Sequence, residues 1–223
     1  KEIGFKIKWI PITKNYELDI NKSKLKELIT NKTKILSIIH CSNVTGTVNP
    51  IKDIIKQAKQ INKDIITIID AAQSAPHQKI DVKDLDCDIL IFSAHKLCGP
   101  TGIGVLYGKE NFLNKLEPFN YGGDMIEEVT KESSSWNELP HKFEAGTPSI
   151  AQAVALTAAI EYLEEIGMNN IHKYLSKLTK YALEKLSKIQ GLTIIGPTDK
   201  ENLDNRAPIF TFTLKTKEGL VIH

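Results

Sequence analysis

The sequence predicts an α/β fold: a mainly parallel β-sheet with helices on both faces, followed by an incomplete, smaller α+β domain. Two apolar runs, at residues 65–69 and 89–92, are short, rich in β-branched side chains and unbroken. Such runs are typical of strands that are buried on both faces of a parallel sheet. Helical segments separate the runs, and this alternation is the pattern of βαβ units.

The predicted elements alternate along the first half of the chain. Strands are expected at residues 6–12, 35–39, 65–70, 89–92 and 102–107, and helices at residues 23–29, 50–61 and 81–85. Pro50 supports the start of its helix, because proline fits the first helical turn. Residues 117–147 are rich in Gly, Ser and Pro and have little periodicity, and loops of this length are usually functional or disordered.

The second half of the chain completes the predicted domain organisation. A helix is expected at residues 151–166, ended by Gly167 as its C-cap, and an amphipathic helix with a lysine-rich outer face at residues 169–188. Strands are expected at residues 192–195 and 208–214. The predicted domains are therefore a large domain at residues 1–167 and the start of a small domain at residues 168–223.

Charge and hydropathy argue against nucleic-acid and membrane partners. The chain has 29 Lys and Arg against 27 Asp and Glu, a net charge of only +2, and the charges are scattered along helices. Nucleic-acid binding needs a concentrated basic patch, so no nucleic-acid partner is expected. The sequence contains no run of about 18 apolar residues, the length that spans a membrane.

The cysteine and histidine patterns argue against a metal site. Three cysteines are present, without C-x-x-C or a Cys/His spacing that is typical of zinc. The chain is expected to be reduced and intracellular. Lys, Asn and Ile are frequent, which indicates an AT-rich genome. We therefore expect the cytoplasm of a bacterium or, alternatively, a plastid-type organelle of a parasite.

Two charged residues that follow the apolar runs carry the functional prediction. Asp70 ends the first run, and Lys96 follows the second, 26 positions later. Ligands of α/β sheets bind beyond the carboxyl ends of the strands, so both side chains can reach one small molecule there. A lysine that forms a Schiff base and a carboxylate that keeps a pyridine nitrogen protonated are what pyridoxal phosphate needs. A surface ion pair or a helix cap is the ordinary alternative for these two residues alone.

The neighbours of this pair favour the cofactor. Gln73 lies three residues after Asp70, and Ser93 and His95 lie just before Lys96. A hydroxyl, an imidazole and loop amides can together hold a phosphate dianion. Small residues leave room for a flat ring; they are Ala71, Ala72 and Ala94.

Four segments, in order, resemble the SufS-like, or group II, cysteine desulfurases. They are residues 70–73, 93–104, 122–126 and 143–148. This group also contains the selenocysteine lyases and belongs to the class V aminotransferase superfamily of fold-type I pyridoxal phosphate enzymes. The resemblance implies that the main domain is the large, cofactor-binding domain of such an enzyme.

The resemblance implies a role for each residue of the cluster. Lys96 resembles the catalytic lysine that forms the Schiff base, Asp70 the partner of the pyridine nitrogen, and Gln73 the donor to the ring hydroxyl. Ser93 and His95 resemble phosphate ligands. For Ser93 the structural alternative is a helix cap.

Two more distant residues are added by the resemblance alone. Asn43 resembles an asparagine that contacts the cofactor or the substrate. Thr147 resembles a residue that reaches the phosphate of the neighbouring subunit's cofactor, which implies a homodimer with shared active sites. Both residues could instead be ordinary turn residues.

The implied reaction converts L-cysteine to L-alanine and passes the sulfur, as an enzyme persulfide, to an acceptor protein for iron-sulfur cluster assembly. One alternative is selenocysteine lyase or another class V enzyme that uses pyridoxal phosphate. A second is a non-catalytic dimer that keeps the fold.

The resemblance also implies that the chain is a fragment. In the family, the sulfur-accepting cysteine follows the strand that resembles residues 209–212, and His223 ends this chain short of it. The upstream part of the large domain is also expected to be missing. Cys98 is a poor substitute, although a nearby ammonium favours a thiolate, because a cysteine in a Gly-Pro turn is more often a packed small residue.

Overall fold

The computed structural model describes residues 4–200, 203–216, 219 and 221–222. Its main sheet contains four strands in the order β1 (Ile35–Ile39), β2 (Ile66–Asp70), β3 (Ile89–Ser93) and β4 (Gly104–Gly108). The first three strands are parallel, and β4 is antiparallel to β3. The predicted α/β fold with a mainly parallel sheet is confirmed.

Six helices and five further strands complete the described residues. The helices are α1 (Lys22–Leu28), α2 (Ile51–Ile61), α3 (Val82–Leu85), α4 (Glu110–Leu113), α5 (Ile150–Ile166) and α6 (Met168–Leu186). Strands β5 (Ile126–Val129) and β6 (Ser134–Trp136) form a hairpin, whereas β7 (Leu192–Ile195), β8 (Thr211–Lys215) and β9 (Val221–Ile222) form an antiparallel sheet. No helix in this described part has the length and apolar character needed to cross a membrane.

The core lies between helices α1 and α2 and one face of the main sheet. Helix α2 turns four apolar side chains, three or four residues apart, towards the sheet: Ile51, Ile54, Ile55 and Ala58. They are buried in one cluster with sheet residues that include Ile38, Ile69 and Leu90. Burial of one such isoleucine contributes about 2 kcal/mol. This packing holds the strands whose carboxyl ends carry the predicted site.

The opposite face of the sheet carries Asp70. In the strand register, Asp70 pairs with Ile39 of β1 and with Ile91 of β3, so these side chains point to the same face. Ile91 and Leu106 of this face are 36% and 58% exposed. The Asp70 carboxylate is therefore directed away from the α2 core.

The strand predicted at residues 6–12 is wrong. The only pairing in this segment is an isolated bridge between Ile12 and Leu18. Pro11 lacks the N–H that a ladder needs, and Trp9 is 81% exposed. The apolar composition of the segment was therefore a poor indicator of a strand.

Two other expectations differ from the structure at their edges. The strand expected at residues 208–214 begins only at Thr211, because Pro208 cannot donate to a ladder and the N–H of Ile209 donates to Ala207 O at 2.8 Å. The loop at residues 117–147 contains the hairpin β5–β6. Five of its seven strand residues are exposed, so its sequence lacks the alternation of apolar and polar residues that predicts a half-buried strand.

The predicted domain boundary at residue 167 stays a prediction. Gly167 lies between α5 and α6 and has a φ of +85°, the left-handed region that favours glycine. Its N–H donates to Leu163 O at 2.9 Å, as expected for the C-cap of α5. Residues of the two helices contact each other.

Candidate active site

Asp70 is held at the carboxyl end of β2 by bonds on both sides. Its carbonyl oxygen accepts from the N–H of His40 at 2.7 Å, and the next N–H, of Ala71, donates to Ile91 O at 2.8 Å. The carboxylate is half-buried, and its Oδ1 accepts from the N–H of Ala72 at 2.9 Å. Within the described residues no cation forms an ion pair with it. The main chain thus fixes a carboxylate that remains open to a cationic ligand.

Lys96 lies in a 3₁₀ turn (Ala94–Lys96) that follows β3 directly. It is half-buried, and its charge acts on the Cys41 thiol just beyond the end of β1. Burial raises the pKa of Cys41 to about 11, and the Lys96 ammonium opposes that rise. Because β3 is parallel to β2, the turn that carries Lys96 leaves the same edge of the sheet as Asp70. Like Asp70, it has no ion pair within the described residues.

The turn that carries Lys96 is tightly closed. The N–H groups of Leu97 and Gly99 both donate to Ala94 O, at 2.8 and 3.1 Å. A Cβ at Gly99 would lie 2.8 Å from that carbonyl oxygen, so a larger residue would force the turn to shift. Ala94 is itself fully buried. The lysine backbone is therefore set in one conformation.

Ser93 and His95 flank Ala94 at the same edge. Ser93 is the last residue of β3, half-buried, and makes no side-chain capping hydrogen bond with the turn that follows. The helix-cap alternative therefore does not describe it. The imidazole of His95 is exposed. Both side chains are available to an anion at this edge.

Gln73 lies in the turn after Asp70 and lines a small cavity of about 20 Å³ with Cys41 and His77. Beside this cavity, the amide nitrogen of Gln78 lies 3.0 Å from His40 Nε2. Burial lowers the pKa of His40 to about 4, so the ring is neutral near pH 7. With Nε2 accepting from Gln78, the proton lies on Nδ1, which is buried without a partner in the described structure.

Asn43 lies in the turn that follows β1. The Ser42 hydroxyl accepts from the N–H groups of Val44 and Thr45, at 3.2 and 3.1 Å, and so closes this turn. The side chain of Asn43 is exposed and is not the group that holds the turn. It is therefore free to contact a ligand beyond β1.

The structure does not join Thr147 to this cluster. Thr147 is exposed in the loop before α5, and none of the hydrogen bonds given for the described residues joins its side chain to the ends of β1, β2 or β3. The same loop is held by the N–H of Gly146, which donates to Gly123 O at 2.9 Å. Six of the seven predicted site residues thus lie at the ends of β1, β2 and β3 or in the segments that follow these strands, and Thr147 lies in the loop before α5.

Sequence reasoning missed His40 and Arg206. His40 follows β1 and supports the backbone of Asp70; its place after an apolar strand was visible, but nothing in the sequence indicates its burial. Arg206 is buried on the same side of the molecule, where it lines the cavity beside Gln73. The sequence feature that could have drawn attention to Arg206 is composition, because it is the only arginine in the chain. No cluster of three or more potential metal ligands occurs among the described residues.

Comparisons with known proteins identify the family. The sequence profile of the family described as aminotransferase class V matches residues 1–221. A probable cysteine desulfurase of Halalkalibacterium halodurans is 46% identical over 215 residues, which are 96% of this chain and 50% of the relative. A probable cysteine desulfurase of Staphylococcus aureus is 49% identical over 209 residues, 94% of this chain and 49% of the relative. The chain belongs to the class V aminotransferase family.

A solved structure agrees with this assignment. The apo structure of a cysteine desulfurase from Thermococcus onnurineus superposes with a TM-score of 0.85 at 36% sequence identity and covers 97% of this chain and 52% of that chain. The present chain spans about half the length of the curated relatives it matches.

The residues at the sheet edge fit pyridoxal phosphate, the cofactor that family membership supports. An unpaired carboxylate and an unpaired lysine leave neighbouring strands, and a hydroxyl and an imidazole flank the lysine. Ala94 is fully buried and adds only a methyl group to the turn before Lys96, whereas Ala71 packs into the α2 core. Lys96 would hold the cofactor covalently, Asp70 would face its pyridine nitrogen, and Ser93 and His95 would bind its phosphate.

Proposed function

We propose that the complete protein is a cysteine desulfurase that depends on pyridoxal phosphate. It would convert L-cysteine to L-alanine and hold the sulfur as a persulfide on one of its own cysteines. The observation that carries the proposal is that Asp70 and Lys96 leave neighbouring strands at one edge with no ion pair in the described structure. Relatives named probable cysteine desulfurases, at 46% and 49% identity, support the choice of substrate.

Two residues do most of the proposed chemistry. When bound, pyridoxal phosphate supplies an electron-withdrawing ring that stabilises negative charge on the substrate carbon. Asp70 keeps the pyridine nitrogen protonated through its carboxylate, whose position the N–H of Ala72 supports at 2.9 Å. Lys96 Nζ moves a proton at the α-carbon of cysteine. Because Lys96 lies in a closed turn, its reach is limited to this edge of the sheet.

The remaining residues of the cluster are proposed to orient the ligands. Gln73 donates to the ring hydroxyl, Ser93 and His95 bind the phosphate, and Asn43 contacts the cofactor or the substrate. Thr147 is proposed to act in the neighbouring subunit. Its exposure in the loop before α5 supports that proposal.

We infer that the sulfur-accepting thiol lies outside these 223 residues. Cys41 and Cys87 are fully buried, and burial raises the pKa of both thiols, which disfavours the reactive thiolate. Cys98 is exposed but sits at a φ of +58° in the turn after Lys96. That turn is held by backbone hydrogen bonds, whereas a sulfur carrier has to move between substrate and acceptor.

The wider context is also a proposal. We infer that the chain is part of a longer protein of the SufS-like group, with the large domain ending at residue 167 and a small domain beginning at residue 168. It would form a homodimer with shared sites and pass sulfur to an acceptor protein for iron-sulfur cluster assembly. The proposed compartment is the bacterial cytoplasm or a plastid-type organelle.

The test uses the full-length protein. Its visible absorption is recorded with pyridoxal phosphate, before and after L-cysteine is added, while alanine and sulfide are assayed. We expect a cofactor band that changes with L-cysteine, together with alanine formation. L-selenocysteine serves as the comparison substrate, and turnover of the selenium compound alone would favour a selenocysteine lyase.

Two other outcomes would reject the proposal. A stable cofactor band without alanine would point to another substrate of a class V enzyme. Failure to take up the cofactor at all would support a non-catalytic dimer.

A further inference from the structure

Arg206 is an exception among the basic residues of this chain. The chain contains 28 lysines and one arginine. Arg206 is only 5% exposed, and no described lysine is buried to that extent. Burial lowers the pKa of Arg206, and no carboxylate forms an ion pair with it in the described residues. Lysine is used almost everywhere in this sequence, yet arginine occupies the most buried basic position among the described Lys and Arg residues, so the shape of the guanidinium is the feature to explain.

The guanidinium joins separate segments by hydrogen bonds that a lysine cannot reproduce. Its Nη1 donates to Pro197 O, just after β7, and its Nη2 donates to Ile209 O at 2.8 Å. The guanidinium carbon lies 4.9 Å from the centre of the Phe210 ring. Two donors in one plane and stacking on a ring are properties of arginine. These two bonds use two of the five N–H donors of the guanidinium, and its Nε is buried without a partner in the described structure.

The backbone around Arg206 holds the turn that carries Asn43. The N–H of Ala207 donates to Gly46 O at 2.7 Å, and the N–H of Val48 donates to Asn205 O at 2.8 Å. These bonds lie on either side of Arg206 and form a short antiparallel bridge with the end of the turn.

A further bond fixes the other side of the turn. The Thr211 hydroxyl donates to Val44 O at 2.6 Å, one residue after Asn43. The packing is close, because a Cβ at Gly46 would lie 2.9 Å from Ile209 O. A Cβ at Gly196 would lie 2.1 Å from Thr45 O and 2.8 Å from Arg206 Nη1. The turn is thus enclosed by the two segments that Arg206 joins.

We propose that Arg206 is a positioning residue, which holds the turn at residues 42–48 in place and so sets the position of Asn43 at the active site. This inference rests on the proposed function. Arg206 touches neither cofactor nor substrate in this account, and it acts through Pro197, Ile209 and the turn. Arg206 and Gln73 line the same small cavity, so Arg206 lies close to the predicted site residues.

The test compares Arg206→Lys and Arg206→Gln with Ile54→Val in the full-length protein. Lysine keeps the charge and loses the planar fork, whereas glutamine avoids a buried ammonium and serves if the lysine variant does not fold. Ile54 is fully buried in α2, away from the turn, and its substitution provides a destabilised control. The readouts are hydrogen exchange of the backbone amides at residues 42–48 and the kcat and KM for L-cysteine.

We expect both Arg206 variants to exchange the amides of residues 42–48 faster and to lower kcat/KM roughly tenfold, since small displacements of a positioning group cost this much or more. Ile54→Val should leave both readouts within about twofold of the wild type, the range we take as no effect for a residue outside the site. Unchanged exchange at residues 42–48, or a loss of kcat/KM no larger than in the control, would overturn the proposal. Wild-type protein without cysteine turnover would instead reject the proposed function, and the exchange measurement would still decide whether Arg206 holds the turn.

Discussion

The two ends of β3 differ in how their charged residues are paired. At the amino end, Lys59 and Lys109 both bind Asp86, with Nζ to carboxylate oxygen distances of 2.9 and 2.5 Å. Lys109 also lies 3.2 Å from Asp88, whose second oxygen accepts from the N–H and the hydroxyl of Thr67 at 2.9 and 2.7 Å. The four charges form one closed network.

The pKa shifts at this end follow from the network. Burial lowers the pKa of Lys109, but its hydrogen bonds to Asp86 and Asp88 outweigh burial and raise the pKa above its usual range. Hydrogen bonds from Lys109 and Lys59 lower the pKa of Asp86. At the amino end of β3, both the lysines and the aspartates are therefore charged, and each charge has an oppositely charged partner within the network.

At the carboxyl end, Asp70 and Lys96 have no such partners in the described structure. The backbone fixes both residues, and their charged groups are left open towards the same edge. Folding alone favours the paired arrangement, since an unpaired, half-buried charge costs free energy. We infer from this contrast that the paired charges at the amino end of β3 stabilise the sheet. The unpaired charges at the carboxyl end are instead suited to a ligand that supplies partners for Asp70 and Lys96.

The largest expected effect comes from Lys96→Ala, with Lys109→Ala as the matched lysine control. In the full-length protein, Lys96→Ala should lower alanine formation from L-cysteine by at least about 1,000-fold without lowering stability, because it removes covalent and proton-transfer chemistry. Lys109→Ala should retain activity and lose about 1 kcal/mol of unfolding free energy, since it opens the network. Activity assays and denaturant unfolding of both variants check this. Comparable activity of Lys96→Ala and Lys109→Ala would contradict the proposed difference between the two ends of β3.

A smaller effect is expected from His40, which supports Asp70 at the carboxyl end. Burial lowers its pKa to about 4 in the folded state, against 6.5 for the ordinary group. The unfolded chain therefore binds more protons below about pH 6.5, and stability should fall as the pH drops, by roughly 2.5 kcal/mol at pH 4.5. Denaturant unfolding between pH 4.5 and 7.5 measures this loss in the wild type and in His40→Gln.

In the His40→Gln variant the unfolding free energy should fall less steeply as the pH drops, because this variant lacks the titrating imidazole. His77, whose pKa burial also lowers, contributes to the slope in both proteins. Equal slopes in wild type and variant would show that His40 is not the buried neutral group described above.

The smallest effect is expected from Cys98→Ser. Cys98 lies two residues after Lys96 and is the only exposed cysteine, since Cys41 and Cys87 are buried. If the sulfur-accepting thiol lies elsewhere in the complete protein, kcat for L-cysteine should stay within about twofold of the wild type, the range expected for a residue outside the chemical step. Abolished turnover would assign the persulfide to Cys98 and overturn its exclusion.

Much of this comparison was accessible from the sequence. The unbroken apolar runs predicted β2 and β3 to within one residue, because such runs admit few alternatives to a buried strand, and the strand expected at residues 35–39 matches β1. Once these strands were predicted, their ends also predicted which side chains meet, since carboxyl ends of parallel strands share an edge. Asp70, Gln73, Ser93 and Lys96 all come from that argument and the resemblance.

Other features depend on tertiary contacts that leave no local pattern. The network of Asp86, Asp88, Lys59 and Lys109 joins α2 to the ends of β3 and β4, so no single segment indicates it. Arg206 acts through contacts with residues 42–48, more than 150 positions earlier in the chain. The strand prediction for residues 6–12 was wrong for the opposite reason. The local pattern was apolar, but in the part of the chain that the structure describes no strand pairs with this segment.

The most direct test compares Asp70→Asn with Asp88→Asn in the full-length protein. Each substitution removes one negative charge and keeps the size of the side chain, at opposite ends of the sheet. We expect Asp70→Asn to lose at least about 100-fold in alanine formation, with a changed visible band of the bound cofactor and nearly wild-type stability. Asp88→Asn should keep its activity and lose about 1–3 kcal/mol of unfolding free energy, because Thr67 and two lysines lose a charged partner. The reverse result, an active Asp70→Asn and an inactive but stable Asp88→Asn, would contradict the assignment of the site to the carboxyl end.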